Sequence, residues 1–286
     1  MIIGVIGGSG LYNIESLELL EECEIDTPYG APSDTFKKCK AGKNTVYFMA
    51  RHGQGHKFLP HELNHHANIW AMKKLGVETI ISMSAVGSLK EKYKPLDFVL
   101  VEQYVDNTRR QGHSFFGEGA VAHISLADPA CVSLSQKVFE HADKLFNDID
   151  IHAAASYLNM EGPAFSTKAE SEIYRSWGLD VIGMTNFLEA KLAREAEMCY
   201  LTIAMVTDYD CWHPSHDAVT VEQLLDNLQQ NSARARKLLK TILPELEYEC
   251  TTGCRHALEA GLMSPVESIP QETLEKLEPI LAKYRV

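Results

Sequence analysis

Seven short runs of apolar and β-branched residues, at 2–6, 45–49, 79–83, 98–101, 153–158, 181–184 and 200–206, constrain this chain more than any other feature. Each is nearly unbroken in its apolarity, which suits a strand covered on both faces rather than one with a wet side. Between them lie segments with helical spacing, at 61–75, 132–146, 168–177, 188–197 and 219–243. The last opens at Thr220, with Glu222 and Gln223 in its first turn. Strand and helix alternate, so the fold class is α/β, built on a mostly parallel sheet. Neither a repeat nor a linker interrupts the pattern before about residue 245. Beyond it Pro244, Gly253, Pro265, Pro270 and Pro279 break the periodicity. The end reads as a tail with one helix, 272–284, packed on the body or on a neighbouring subunit.

Charge narrows the partners. Against 27 Lys and Arg stand 39 Asp and Glu, a formal charge of −12 over 286 residues. Such a chain repels phosphate backbones and anionic lipid, which disfavours nucleic-acid or membrane binding but leaves room for a local anion site. No apolar stretch approaches the roughly 20 residues of a membrane helix. The start, Met1-Ile2-Ile3-Gly4-Val5-Ile6-Gly7-Gly8, lacks the basic, long apolar build of a signal peptide and reads as the first strand. Seven scattered cysteines argue for reduced thiols in a cytoplasm. The exception is Cys250-Thr251-Thr252-Gly253-Cys254, a loop short enough to close oxidatively.

The segments just past the strands carry the chemistry. The runs end in Gly7-Gly8-Ser9-Gly10, Ala50-Arg51-His52-Gly53, Ser84-Ala85-Val86-Gly87-Ser88, Met160-Glu161-Gly162-Pro163-Ala164-Phe165-Ser166, Gly183-Met184-Thr185-Asn186 and Thr207-Asp208-Tyr209-Asp210. Ligands of open α/β sheets bind outside the carboxyl ends of the strands, so these six ends predict one composite pocket. The glycines allow a tight turn that turns N–H groups toward an anion. Arg51 offers a planar fork of donors beside the His52 imidazole. With the hydroxyls of Ser9, Ser84 and Thr185 and the Ala85 N–H, the set fits inorganic phosphate. Taken singly each has a plainer reading: a tight turn, a salt-bridged Arg, a buried His, hydroxyls bonding their own loops.

Asp208 and Asp210 flank Tyr209 after an apolar strand. A carboxyl at a partly buried strand end has a raised pKa and can donate a proton, or accept from an exocyclic amine. Phe165 offers a face for stacking a heterocycle, though a lone Phe is more often core. His61-Glu62-Leu63-Asn64-His65 matches the His-Glu-x-x-His pattern of zinc proteases. It follows Pro60 at a helix start and has no third ligand at a matching spacing. His56, His65 and His66 read more simply as helix-surface or interface residues.

Taken in order, Ile6-Gly7-Gly8-Ser9-Gly10-Leu11, Asp26-Thr27-Pro28-Tyr29-Gly30, Ala50-Arg51-His52-Gly53, Ala67-Asn68-Ile69-Trp70-Ala71, Glu161-Gly162-Pro163, Gly183-Met184-Thr185 and Thr207-Asp208-Tyr209-Asp210-Cys211-Trp212 form a specific signature. The chain resembles the 5′-methylthioadenosine phosphorylases, a branch of the trimeric purine nucleoside phosphorylases, to about residue 250. The resemblance implies one catalytic domain over 1–250, with a mixed, largely parallel sheet flanked by helices, and a tail over 251–286. It implies reversible phosphorolysis of S-methyl-5′-thioadenosine to adenine and 5-methylthioribose 1-phosphate. Phosphate would be held by Ser9, Arg51, His52, Ser84, Ala85 and Thr185. Met184 would lie on the ribose, Phe165 and Ser166 would line the base, and Asp208 and Asp210, with Tyr209 between them, would read the adenine. Val221 and Leu224 would border the methylthio group, closed by His123 of an adjacent subunit. The family uses no metal or organic cofactor, phosphate being a co-substrate, and forms trimers or dimers of trimers.

Two departures stand out. Ala164 replaces an arginine of the usual Glu-Gly-Pro-Arg-Phe, and Asn186-Phe187-Leu188-Glu189 lacks the family's proline at a helix start. The first is expected to loosen a loop or subunit contact and the second to shift the helix, with Asn186 as a further residue that could reach ribose or base. Three rival readings remain on sequence grounds: a 6-oxopurine phosphorylase, which would place Asn where Asp208 stands; a nucleoside-binding module without turnover; and the zinc protease.

Overall fold

The computed structural model describes residues 1–12, 17–109, 112–213 and 221–285. Its nine strands are β1 (Ile2–Gly7), β2 (Glu18–Cys23), β3 (Phe36–Ala41), β4 (Asn44–Ala50), β5 (Thr79–Ser88), β6 (Phe98–Asn107), β7 (Ile151–Met160), β8 (Val181–Gly183) and β9 (Cys199–Asp208). They form one sheet in the order β2-β3-β4-β1-β5-β8-β7-β6-β9, with β5 also pairing β9. β1 runs parallel to β4 and β5, β5 to β9, and β7 to β6 and β8. The pairs β2–β3, β3–β4, β5–β8 and β6–β9 are antiparallel, so the sheet is mixed. The helices are α1 (His65–Lys74), α2 (Val132–Leu145), α3 (Lys168–Ser176), α4 (Asn186–Glu195), α5 (Val221–Ile242), α6 (Gln271–Lys276) and α7 (Glu278–Leu281).

The unbroken apolar runs have a direct cause: successive side chains enter core layers on opposite faces of the sheet. Val5, Ile81, Met83 and Ile203 point into a layer with Leu238, Leu239 and Ile242 of α5 and Leu134 and Val138 of α2. Ile6, Met49, Ile80 and Tyr200 point the other way, onto Ile69 and Trp70 of α1, Leu192 of α4, and the tail. Each fully buried aliphatic side chain contributes roughly 1.5–3 kcal/mol of transfer free energy.

Two strands lie outside the seven apolar runs. β2 reads Glu-Leu-Leu-Glu-Glu-Cys and is exposed along its length, while β3 alternates buried Phe36, Cys39 and Ala41 with lysines. They form an edge ribbon on β4, pinned by Lys38 Nζ to Glu21 Oε1 at 2.7 Å. Such strands exist because a neighbour's edge is available, and no local apolar period announces them. Elsewhere strands outrun their apolar cores. β6 continues past Val101 to Asn107 through residues that are exposed or half-buried.

The tail also differs from the single helix expected at 272–284. Pro279 has no N–H to continue the helical ladder, and the segment breaks at Leu277 into α6 and α7. Leu274, Leu277, Ile280 and Leu281 are buried against the chain's own body, and Trp70 Nε1 donates to the Lys276 carbonyl at 2.8 Å. Among the described residues no helix is long and apolar enough to cross a membrane.

Candidate active site

The carboxyl ends of β1, β4, β5, β8 and β9 and the loop after β7 surround a cavity of about 310 Å³. Ser9, Arg51, His52, Ser84, Ala85 and Thr185 line one part, and Phe165, Met184, Asp208 and Asp210 another. Ser84, Ala85 and Asp208 stand within β5 and β9 rather than in loops beyond them. The β5–β9 ladder therefore fixes these three positions, setting Ser84 opposite Ala204, Ala85 opposite Met205 and Asp208 opposite Gly87. Gly8 has to lack a side chain, since a Cβ there would lie 2.5 Å from the Met83 carbonyl oxygen and 2.9 Å from Arg51 Nη1.

Arg51 is almost wholly buried, at 1% exposure. Its fork faces Glu189 on α4 rather than open cavity: Nε to Oε1 at 2.5 Å and Nη2 to Oε2 at 3.2 Å. Nη2 also donates to Ser82 Oγ at 2.5 Å and Nη1 to the Met83 carbonyl at 3.1 Å. Of five guanidinium N–H groups one is left over. The bidentate phosphate fork expected from sequence is thus engaged by Glu189. Burial opposes both charges, but their mutual attraction outweighs it, raising the Arg51 pKa and lowering that of Glu189. Ser82 and Tyr200 hydroxyls donate to Glu189 Oε2 at 2.7 and 2.8 Å.

Asn186 belongs to the same network. It is fully buried, and its Nδ2 approaches Ser82 Oγ, Tyr200 Oη and Thr202 Oγ1 at 3.0–3.1 Å. The amide is committed to the network beneath the cavity, not aimed at a ribose or base. Its Oδ1 accepts from Thr185 Oγ1 at 3.1 Å, and α4 begins at Asn186 without the proline and without a side-chain cap from Thr185. Glu189 is the functional residue that sequence reasoning misses. The available signal is a lone acid four residues after Thr185, on a helix that starts at a strand end facing a buried Arg.

His52 Nδ1 lies 2.8 Å from the Phe58 carbonyl, which requires the proton on Nδ1 and leaves Nε2 as an acceptor. Burial, reinforced by the Arg51 charge, pulls its pKa down to about 4. The unfolded chain takes up this proton below about 6.5, the folded chain only near 4. The stability His52 supplies near neutral pH is therefore lost as pH falls through that window, by up to roughly 3 kcal/mol. Urea midpoints of wild type and His52→Gln between pH 7 and 4.5 test this, and the variant should show the shallower decline.

At the other part of the cavity, burial pushes the Asp208 carboxyl up, opposed by hydrogen bonds from Thr207 Oγ1 at 2.7 Å and the Asp210 N–H at 2.8 Å. Asp210 is raised as well, again by burial, although Ser171 Oγ donates to it at 2.5 Å. A register shift in the β5–β9 pairing after Val86 sets Gly87 opposite Asp208. A Cβ at Gly87 would meet Ile182 Cγ2 at 3.1 Å and Asp208 Oδ1 at 3.2 Å. Gly87→Ala should displace the carboxylate by a few tenths of an ångström and lower kcat/KM about ten- to a hundredfold with little change in Tm. Paired kinetics and thermal melts check that split.

The remaining expected residues fall elsewhere. Tyr209 turns away from the cavity, stacking on His213 at 4.7 Å between ring centroids, with its hydroxyl donating to the Glu91 carbonyl at 3.4 Å. Ser166 does not line the cavity; its carbonyl accepts from the Cys211 thiol at 3.3 Å. Phe165 sits at the mouth, 75% exposed. His123 is exposed and outside this chain's cavity. The side chains of Val221 and Leu224 lie outside the described residues, as does the helix start at Thr220. Leu228, four residues beyond Leu224, lines the cavity, as do His56, Leu59 and Pro60. Ala164 is exposed.

The zinc-protease arrangement does not form. His61 and Glu62 occupy a separate 3-10 turn, and Asn64 caps α1, accepting from the Ala67 N–H at 3.1 Å. His61 is exposed, whereas His65 is buried 3.9 Å from Glu189 Oε1. His65 is thus a core residue rather than a surface one.

The part of the chain that builds this cavity matches the model of the phosphorylase superfamily, over residues 2–244. S-methyl-5′-thioadenosine phosphorylase of Koribacter versatilis (strain Ellin345) is 49% identical over 282 residues, 99% of this chain and 96% of the relative. That of Thermosynechococcus vestitus (strain NIES-2133 / IAM M-273 / BP-1) is 50% identical over 284 residues, 99% and 98% of the two chains. A crystal structure of methylthioadenosine phosphorylase from an antarctic soil metagenomic library matches with TM-score 0.91 at 44% identity, covering 98% of each chain. A mutant adenosine/methylthioadenosine phosphorylase from Schistosoma mansoni, in complex with methylthioadenosine, matches at TM-score 0.82 and 33% identity, covering 94% of this chain and 99% of that one. Within the superfamily, the chain belongs to the S-methyl-5′-thioadenosine phosphorylases.

Proposed function

We propose that the chain cleaves the glycosidic bond of S-methyl-5′-thioadenosine with inorganic phosphate, giving adenine and 5-methylthioribose 1-phosphate. The observation that carries this is one cavity with hydroxyl and N–H donors at one part and a carboxyl of raised pKa at another. Ser9, Ser84, Thr185, the Ala85 N–H and the remaining Arg51 N–H hold the phosphate, with His52 Nε2 accepting from its protonated oxygen. Met184 lies against the ribose and Phe165 over the base, and Asp210 joins Asp208 in reading the adenine.

As the bond from the anomeric carbon to N9 breaks, positive charge grows on the sugar, and the phosphate held beside it stabilises that charge. A phosphate oxygen then bonds to the anomeric carbon. Protonated Asp208 gives its proton to N7, so the base leaves neutral. The reaction takes phosphate as co-substrate and calls on no organic cofactor or catalytic metal. Val221 and Leu224 border the methylthio group, and His123 of an adjacent subunit closes that end in a trimer or dimer of trimers. The setting is cytoplasmic.

Base release from methylthioadenosine, adenosine, methylthioinosine and inosine, each with and without phosphate, tests the proposal. Phosphate-dependent adenine release, fastest with methylthioadenosine, is the expected result. Preference for the inosine series would overturn the base assignment, and turnover of none would overturn the activity.

A further inference from the structure

Four cysteines that the proposed reaction does not use meet at one point. Cys131 is the N-cap of α2, Cys199 opens β9, and Cys250 and Cys254 lie in the loop between α5 and the tail helices. Their sulfurs all lie within 4.8 Å of one another, Cys131 and Cys250 at 3.9 Å, and none is joined in a disulfide. Three of the four are wholly buried, Cys250 is half-buried, and none lines the cavity.

This is the donor set and very nearly the geometry of a closed tetrathiolate. A tetrahedral site with Zn–S near 2.3 Å has sulfur–sulfur edges of roughly 3.8 Å, reached here by shifts of about half an ångström per sulfur. The three-residue gap between Cys250 and Cys254 falls within the two- to four-residue spacing of paired zinc ligands. Cys131 stands where the α2 dipole favours a thiolate.

The charges around the cluster point the same way. Four thiolates and one Zn²⁺ carry two negative charges, which a buried site has to neutralise. Arg194 is buried at 5% exposure, and its Nη2 donates to Cys254 Sγ at 3.4 Å. Its other hydrogen bonds go to the carbonyls of Ser125 and Asp128, and among the described residues no carboxylate pairs with it. Arg255, next to Cys254, is partly exposed, with Nη2 3.7 Å from Glu78 Oε2, and adds a second positive charge near the sulfurs. The buried Arg194 charge beside four neutral thiols would be poorly compensated, whereas an anionic cluster balances it.

We propose that Cys131, Cys199, Cys250 and Cys254 hold a structural zinc ion that clamps the start of the tail to α2 and β9. This amends the expectation of a metal-free chain, but only structurally, since four protein ligands leave no open position for substrate.

The test is metal content of the full chain, purified under reducing conditions and dialysed first with zinc and then without it. About one zinc per chain is expected, with cobalt substitution giving the visible absorption of tetrahedral tetrathiolate Co²⁺. Chelation should lower Tm and zinc should restore it. Cys250→Ser/Cys254→Ser should hold less than about a tenth of the wild-type metal, while Cys211→Ser, at an exposed cysteine outside the cluster, keeps it. Should the double variant fail to fold, cobalt titration of the chelated wild-type chain decides alone. Metal below about a tenth per chain with all seven thiols free, or a disulfide among the four in place of metal, overturns the proposal.

Discussion

Glu189→Gln should lose about 3–5 kcal/mol of stability, because it strips the countercharge from an arginine that has no water to turn to. Glutamine keeps the volume and one acceptor, so the loss reports charge pairing rather than a cavity. Activity should fall with it, since Arg51 is held by Glu189, Ser82 and the Met83 carbonyl as one unit. A further readout separates this from generic destabilisation. With the carboxylate gone, the Arg51 charge becomes available to an anion, so added phosphate should raise the variant's Tm more than wild type's. Urea unfolding gives the stability term, and a phosphate series of melts gives the rest. An equal phosphate response in both proteins would show that the Arg51 charge does not reach the cavity.

Asp208→Asn should lower kcat/KM for methylthioadenosine by about 10²–10⁴ while sparing or improving turnover of methylthioinosine. The amide cannot give a proton to N7, and it presents a donor where a 6-oxo group needs one. Burial has already pushed the Asp208 carboxyl above its ordinary range, so wild-type activity should fall as pH rises through that elevated value. The variant should lose that alkaline limb. Unchanged selectivity between amino and oxo purines would sink the role given to Asp208.

The legible part of this site is carried by residue type at strand ends. Ser9, Arg51, His52, Ser84, Ala85, Thr185, Met184, Phe165, Asp208 and Asp210 do come together on one cavity. Tyr209 departs from its expected place because adjacent residues near a strand end point to opposite sides, so its two flanking acids face the cavity and it does not. The rival zinc-protease reading of His61 and His65 needs one continuous helix, and the Asn64 cap divides it. Asn186 has the chemistry of a ligand contact, but its amide is spent on Ser82 of β5 and Tyr200 and Thr202 of β9.

By itself the sequence determined the α/β alternation, the buried strands and the chemistry available at their ends, because periodicity and residue type are local properties. Only the tertiary structure decided that the Arg51 fork belongs to Glu189, that β2 and β3 pair on the edge of β4, and that four distant cysteines share one point. Those outcomes depend on which groups meet after burial, where an unpaired charge or donor costs several kcal/mol. No local pattern records a partner 138 residues away.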